Sequence, residues 1–423
     1  MKATAPAASH RRILFASLVG TSVEFYDFYI FATATALVFG DLFFPASDPW
    51  VQTVAKYTSF SLAFFARPLG GLVFGHFGDR LGRKSTLVAS LMLMGVSTVL
   101  IAFLPTYATI GWVAPVLLCV LRFGQGFGLG GEWGGASLLA VENAPPGWAN
   151  RYGSFPPLGA PVGFIFANGF FLILGALLTE QQFHDWGWRL PFLASAVLVM
   201  LGLWVRLTIT ETPEFVEASD KAPPPAVPVG ELLRDHLLPT LAGTVTTVAC
   251  FALFYVSTVF AIGYGTKTLG YDRELFLGIE LVAILFMAAG IGIAGIHADR
   301  GSAARILARG CIVTIPVGLT MGTLLVPGSI AGAGLWLAFA LFTMGFVYGP
   351  LGGFLPSLFP PRVRYTGVSV TFNIGGILGG GLTPLIAEAL VKQGGIELVG
   401  FYLAGAGLLS LAGLFAVRRR GRA

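Results

Sequence analysis

A chain of 423 residues that is 55% hydrophobic and only 11% charged, with a mean hydropathy of +0.79, is not built for water, because soluble domains carry about 25% charged residues. Its formal net charge of +5 would suggest a nucleic-acid partner in a soluble protein, but here the basic residues sit in short loops between apolar runs, which argues for no nucleic acid. Cys119, Cys250 and Cys311 lie inside apolar runs, so neither a disulfide framework nor a CxxC metal site is present in the sequence.

A spanning helix needs about 20 mostly apolar residues. Twelve such segments are expected, over 13–39, 53–76, 84–104, 112–140, 152–178, 190–209, 237–262, 274–296, 305–326, 331–355, 366–390 and 398–417. The first apolar run continues into a span with no small-residue cleavage site before it, so no removable signal peptide is expected. Trp50, Trp112, Trp186 and Trp188 fall at span ends on one side, as an aromatic belt does. Three prolines (Pro156, Pro157, Pro161) mark a kinked start to the fifth span. A polar, proline-rich stretch containing Pro223, Pro224 and Pro225 separates six spans from six. The expected domains are an N-terminal bundle over 1–210, a linker over 211–235 and a C-terminal bundle over 236–423.

Lys and Arg set the orientation. With the N-terminus inside, nineteen basic residues fall on the cytoplasmic side; Arg189, Lys267, Arg273 and Lys392 fall outside, and Lys56, Arg67 and Arg122 lie within spans. Both termini are therefore expected in the cytoplasm and the chain in a cell (inner) membrane.

Ionisable residues at membrane depth are costly and point to function. Glu24 and Asp27 lie about 17–21 Å into the first span at about 1.5 Å per residue, and Arg122 is at similar depth in the fourth. Two carboxylates facing one guanidinium favour retention of one proton, the chemistry of a proton symporter; the competing reading is a static ion pair. Arg67 and Glu132 are an expected internal pair, either a gate or a brace. The C-terminal half offers neutral mid-span candidates, Tyr255, Tyr348 and Asn373, while Glu280 and Glu388 are read as solvated near the outer ends.

An internal repeat supports two equivalent halves. Gly75 to Arg80 and Gly295 to Arg300 both read GxxxDR, 220 residues apart, each after the second span of its half. Asp79 at a helix boundary suits the N-terminal dipole of a helix from the other half, a contact available only when that side is closed. Asp79, Arg80, Arg83, Asp299 and Arg300 are therefore candidate latch residues, although the second copy lacks the Gly-Arg-Lys ending of the first. His76 and His297 occupy matching edge positions and are not read as proton carriers.

Gly75-x-x-x-Asp79-Arg80-Leu81-Gly82-Arg83-Lys84 resembles the loop 2–3 signature of the major facilitator superfamily. Glu24-Phe25-Tyr26-Asp27-Phe28, Arg67-Pro68-Leu69-Gly70-Gly71, Arg122-Phe123-Gly124-Gln125-Gly126, Gly130 to Ala136, Trp186 to Phe192 and Leu358 to Gly367 resemble its metabolite:proton symporter branch, which includes transporters of shikimate, 2-oxoglutarate, citrate and proline/betaine. The resemblance spans nearly the whole chain. It implies an all-α membrane protein of twelve helices in two pseudo-symmetric six-helix bundles. It also implies proton-coupled uptake of a small organic metabolite, with a carboxylate favoured and a zwitterionic osmolyte second. Tyr26 and Gln125 join Arg122, Tyr255, Tyr348 and Asn373 as candidate substrate contacts. Ser357 stands where the branch often has a glutamate. The chain stops at Ala423 without the coiled-coil tail of osmosensing members, which argues against that role. A non-transporting sensor is the weaker alternative on the same fold. An enzyme is not expected, since HExxH and nucleophile–base patterns are missing; GxxxxGK[ST] is missing too, and no cofactor is implied. A functional monomer is expected, with protons, a small solute and lipid as its partners.

Overall fold

The computed structural model describes residues 7–46, 48–81, 83–208, 228–361 and 363–420, and all regular structure among them is helical. Nine helical stretches among the described residues are long and apolar enough to cross a membrane. The other three expected spans are the helix Pro49–Leu81, which carries Lys56 and Arg67, the helix Arg83–Ile101 and the 17-residue helix Ala303–Leu319. The linker expected over 211–235 lies outside the described residues up to 227; its end forms the helix Pro228–Asp235.

In the N-terminal bundle the first span (Ala7–Ala34, continued to Phe43) packs along the fifth (Phe155–Leu177), the fourth (Val113–Leu129) lies between the second and third, and the third meets the sixth (Leu190–Thr208). The C-terminal bundle repeats the plan. The eighth span (Arg273–Arg300) packs along the tenth (Ile330–Phe354), and the seventh (Leu237–Tyr255, continued to Lys267) and ninth meet the twelfth (Ile396–Arg420). The bundles touch along two seams, second span against eleventh and fifth against eighth. The first and seventh spans are the most enclosed, as helices lining a central axis must be.

The repeat extends below the level of motifs. The first span carries a π turn at Thr35–Phe39 and the seventh at Val256–Phe260, 221 residues apart, against 220 for the paired aspartates. A π turn inserts one residue into a helix and re-aims the side chains beyond it, and such turns recur at functional sites. A third, Ile377–Gly381, interrupts the eleventh span.

Two details of the spans differ from plain helices. The fourth span keeps about its expected bounds, Val113–Glu142 against 112–140, but it is not unbroken: it turns at Gly130 and Gly131 before a second helix, Glu132–Glu142. The cause is a backbone crossing with the second span, since a Cβ on Gly130 would lie 2.0 Å from the Arg67 carbonyl oxygen. Nor does Trp188 join an interfacial belt. The 3-10 turn Gly187–Arg189 tucks its ring into the core against Phe39, Phe43 and Phe192. Beside it, Arg189 Nη1 donates to the carbonyls of Ala102 and Leu104 at 2.6 and 2.9 Å, tying the start of the sixth span to the end of the third.

Overpacking a close crossing costs about 1–3 kcal/mol. Gly130→Val should therefore lower the melting temperature of the purified protein in detergent. Gly169→Ala, where a Cβ meets nothing within 4 Å, should leave it unchanged or slightly raised.

Candidate functional site

The middle of the molecule is an aromatic chamber built around two cations. Phe28 on the first span lies between them: the Arg67 guanidinium sits 4.5 Å from the ring centroid and the Arg122 guanidinium 4.4 Å. Arg67 also covers Phe64, and Arg122 also covers Phe31 and Phe60. From the other bundle, Tyr255 closes the chamber edge-on against Phe28, Phe60 and Phe64. Aromatic faces attract a desolvated cation by about 2 kcal/mol each, which is how guanidiniums are tolerated here. Arg122 is 0% exposed.

Asp27 is equally enclosed, but it does not pair with Arg122. Ser195 Oγ on the sixth span donates to Asp27 Oδ1 at 2.5 Å, and Oδ2 has no hydrogen-bond partner. Gln125 connects the two indirectly. Arg122 Nη1 donates to Gln125 Oε1, while Gln125 Nε2 donates to the Asp27 main-chain oxygen at 2.8 Å and to Thr98 Oγ1 at 3.0 Å. The expected carboxylate–guanidinium contact is thus replaced by a relay through a neutral amide. The physical reason is direction: the Asp27 side chain points into the N-terminal bundle toward the sixth span, whereas the arginine lies over the rings of Phe28 and Phe31. Glu24 is buried one turn earlier in the first span. Of the expected internal pair, Arg67 lies over the rings of Phe28 and Phe64, and Glu132 accepts from Ser90 Oγ. On Arg67 the Nε and on Arg122 the Nη2 have no acceptor.

Other candidates serve the seams. Trp133 stacks flat on Phe372 of the eleventh span, with centroids 3.6 Å apart, and its Nε1 donates to the Tyr348 hydroxyl at 2.9 Å. Asn373 Nδ2 donates to the Gly130 carbonyl at 2.7 Å and the Tyr365 hydroxyl to that of Gly131 at 2.5 Å. The exposed backbone of the broken fourth span is therefore gripped by the opposite bundle. Tyr26 donates to the Pro191 carbonyl at 2.8 Å, inside its own bundle. Of the six proposed substrate contacts, Arg122 and Tyr255 face the chamber, and Gln125 backs it.

At the end of the molecule bearing the repeated loops, Asp299 makes a catch. Its Oδ1 accepts from the Asn150 backbone N–H at 2.8 Å, its Oδ2 from that of Arg151 at 3.2 Å, and Arg151 Nε lies 3.2 Å from the same oxygen. These N–H groups open the helix Ala149–Gly153 that leads into the fifth span, where a negative charge is favoured. Beneath the catch the bundles meet backbone to backbone: a Cβ on Gly352 would lie 2.0 Å from the Gly153 oxygen. The copy of the motif without the Gly-Arg-Lys ending is the one seen making this contact, and Arg300 beside it is exposed. The side chains of Asp79, Arg80 and Arg83 lie outside the described residues. The opposite end is also closed. Arg273 of the eighth span reaches Glu180 at 3.4 Å and lies over Phe183, Lys392 lies over Trp50, and Ser61 Oγ donates to the Gly381 carbonyl at 2.5 Å. Both ends being shut, the conformation is occluded. Glu280, read from sequence as solvated, is instead 1% exposed.

The sugar (and other) transporter family matches residues 13–226. The chain is 46% identical to the inner membrane metabolite transport protein YhjE of Escherichia coli K12, over 97% of this chain and 94% of that one. It is 36% identical to the shikimate transporter of the same organism, over 95% and 92%. Among solved structures, the proton:xylose symporter XylE superposes with a TM-score of 0.76 over 97% of this chain and 95% of the other, at 17% identity. That likeness carries the twelve-helix fold.

A hydrogen bond to a charged group contributes about 1.5–3 kcal/mol, so Asp299→Asn should shift the closed-to-open balance at this end by about 10- to 100-fold. Alkylation of Ser154→Cys, placed in the seam below the catch, should accelerate accordingly. An unchanged rate would remove Asp299 from the closure.

Proposed function

Because the chain belongs to the sugar (and other) transporter family of the major facilitator superfamily, and is thus a membrane transporter rather than an enzyme, we propose that it drives uptake of a small organic carboxylate with protons across an inner membrane. The observation that carries this reading is the pair of buried guanidiniums flanking Phe28, each with one nitrogen that has no acceptor, Arg67 Nε and Arg122 Nη2. Buried unpaired donors cost about 1–3 kcal/mol apiece, and an anion brings the acceptor oxygens that such donors lack. The family likeness to a metabolite transporter and a shikimate transporter supports a substrate of that size and charge.

Asp27 is the proposed proton site. A carboxyl enclosed among apolar side chains, with one oxygen served only by Ser195, is tolerated neutral far better than charged. Gln125 couples it to the cation that would receive the substrate, so a substrate on Arg122 and a proton on Asp27 act on one relay. The end bearing the repeated loops is assigned to the cytoplasm from its excess of Lys and Arg, with the protein working as a monomer. In the cycle, the outer contacts at Arg273 and Lys392 release first, substrate and proton enter, the outer seam recloses, and the Asp299 catch then opens to the cytoplasm.

Proteoliposomes with an imposed proton gradient, screened against shikimate, 2-oxoglutarate, citrate, proline and betaine, test the reading. Carboxylate accumulation abolished by a protonophore is expected; accumulation that needs sodium and ignores the protonophore would sink it. Arg122→Lys should weaken carboxylate affinity by about 10- to 100-fold, the loss of one charge-assisted hydrogen bond, because an ammonium lacks the planar fork. Asp27→Asn should abolish substrate-induced alkalinisation while sparing counterflow. If Glu24→Gln shows that loss instead, Glu24 carries the proton.

A further inference from the structure

The symport reading uses one proton site in the N-terminal bundle, yet the eighth span buries a carboxyl that it leaves unexplained. Glu280 lines a void of about 10 Å3, room for about one water molecule, in the seam between the fifth and eighth spans. Tyr29 and Thr33 of the first span, Asn168 of the fifth and Thr258 of the seventh share its wall. Two polar atoms of this wall are buried without a hydrogen-bond partner, Glu280 Oε1 and Asn168 Nδ2. The two threonine hydroxyls of the wall are committed elsewhere: Thr33 donates to Asn168 Oδ1 at 2.6 Å and Thr258 to the Phe254 carbonyl at 2.7 Å.

The surroundings hold no cation for it. Tyr29 is the one other titratable group among the lining residues. The fifth span carries none between Phe155 and Leu177, nor does the tenth between Ile330 and Val347. Tyr264 and Lys267 stand further along the seventh span, Arg151 belongs to the far end of the seam beside Asp299, and Arg305 and Arg309 lie on the ninth span. An ionised carboxylate here would face hydrocarbon and a spare amide, with several kcal/mol against it. A carboxylic acid faces no such penalty. Opening the seam admits water, and the penalty disappears.

We propose that Glu280 is a second proton-binding site, in the C-terminal bundle. It holds its proton while the fifth and eighth spans are closed on each other and passes it to water when they part. This rests on the symport reading for its role in the cycle, but not for its test. On release the carboxyl O–H bond breaks, the electron pair stays on the carboxylate and the proton leaves on water.

Infrared spectra of the substrate-free protein in detergent read the protonated-carboxyl stretch directly. At neutral pH the parent's band should lose one component in Glu280→Gln, and that component should persist in Asp27→Asn. Equal bands in parent and Glu280→Gln would overturn the proposal. Should Glu280→Gln fail to fold, Glu280→Asp keeps an acid and should shift the band; no shift overturns it equally. Seam opening is read by alkylation of Ala32→Cys, which lines the same void, with Cys119, Cys250 and Cys311 replaced. Its rate should climb with pH more steeply than in the same protein carrying Glu280→Gln; identical profiles would break the link between proton release and opening. Neither measurement needs substrate or a gradient. Failure of proton-driven uptake with the band intact would therefore strike the symport reading alone.

Discussion

Two guanidiniums over one phenylalanine ring set the terms for everything around them. Like charges in a medium of low dielectric repel strongly. The rings of Phe28, Phe31, Phe60 and Phe64 supply the compensation. That demands rigid aromatic placement on the first and second spans, and hence the close helix crossings that glycines allow. The Gly130 break in the fourth span is one result, because the carbonyl of Arg67 itself occupies the space a side chain would need.

The same demand explains the division of labour between bundles. The N-terminal bundle holds the chamber's cations and Asp27. The C-terminal bundle presents Tyr255 as a wall and otherwise meets its partner through backbone carbonyls, as with Asn373 and Tyr365 on Gly130 and Gly131. Closing the molecule thus satisfies backbone groups that a broken helix leaves exposed, and opening it must hand those groups to water or substrate. Side-chain chemistry and conformational change are coupled because they share the fourth span.

Much of this was legible in the sequence. The twelve spans, the two-bundle fold and the placement of Asp27 and Arg122 at mid-span follow from hydropathy, and the repeat from GxxxDR at equal spacing. Contacts set by side-chain direction were not legible. Three-residue spacing put Glu24 and Asp27 on one broad face, but it could not show that Asp27 turns toward Ser195, 168 residues away, with Gln125 standing between it and Arg122. Glu280 was misjudged because depth was counted from a span end: seven residues into the eighth span seemed shallow, yet the first and fifth spans fold over that position. The aromatic faces over which Arg67 lies were not read from the string either, although Phe28, beside Asp27 in the first-span motif, was the available hint.

The catch at Asp299 has an unequal genetics. Its carboxylate is met chiefly by main-chain N–H groups at positions 150 and 151, and every residue except proline supplies one. Substitutions on the receiving side can therefore accumulate with little effect on these two bonds, while a single change at 299 removes both. Homologous chains would be free to drift at position 150 and held fixed at 299. An engineer who wanted a looser or tighter transporter would have two side chains there to adjust, Asp299 and the Arg151 that faces it.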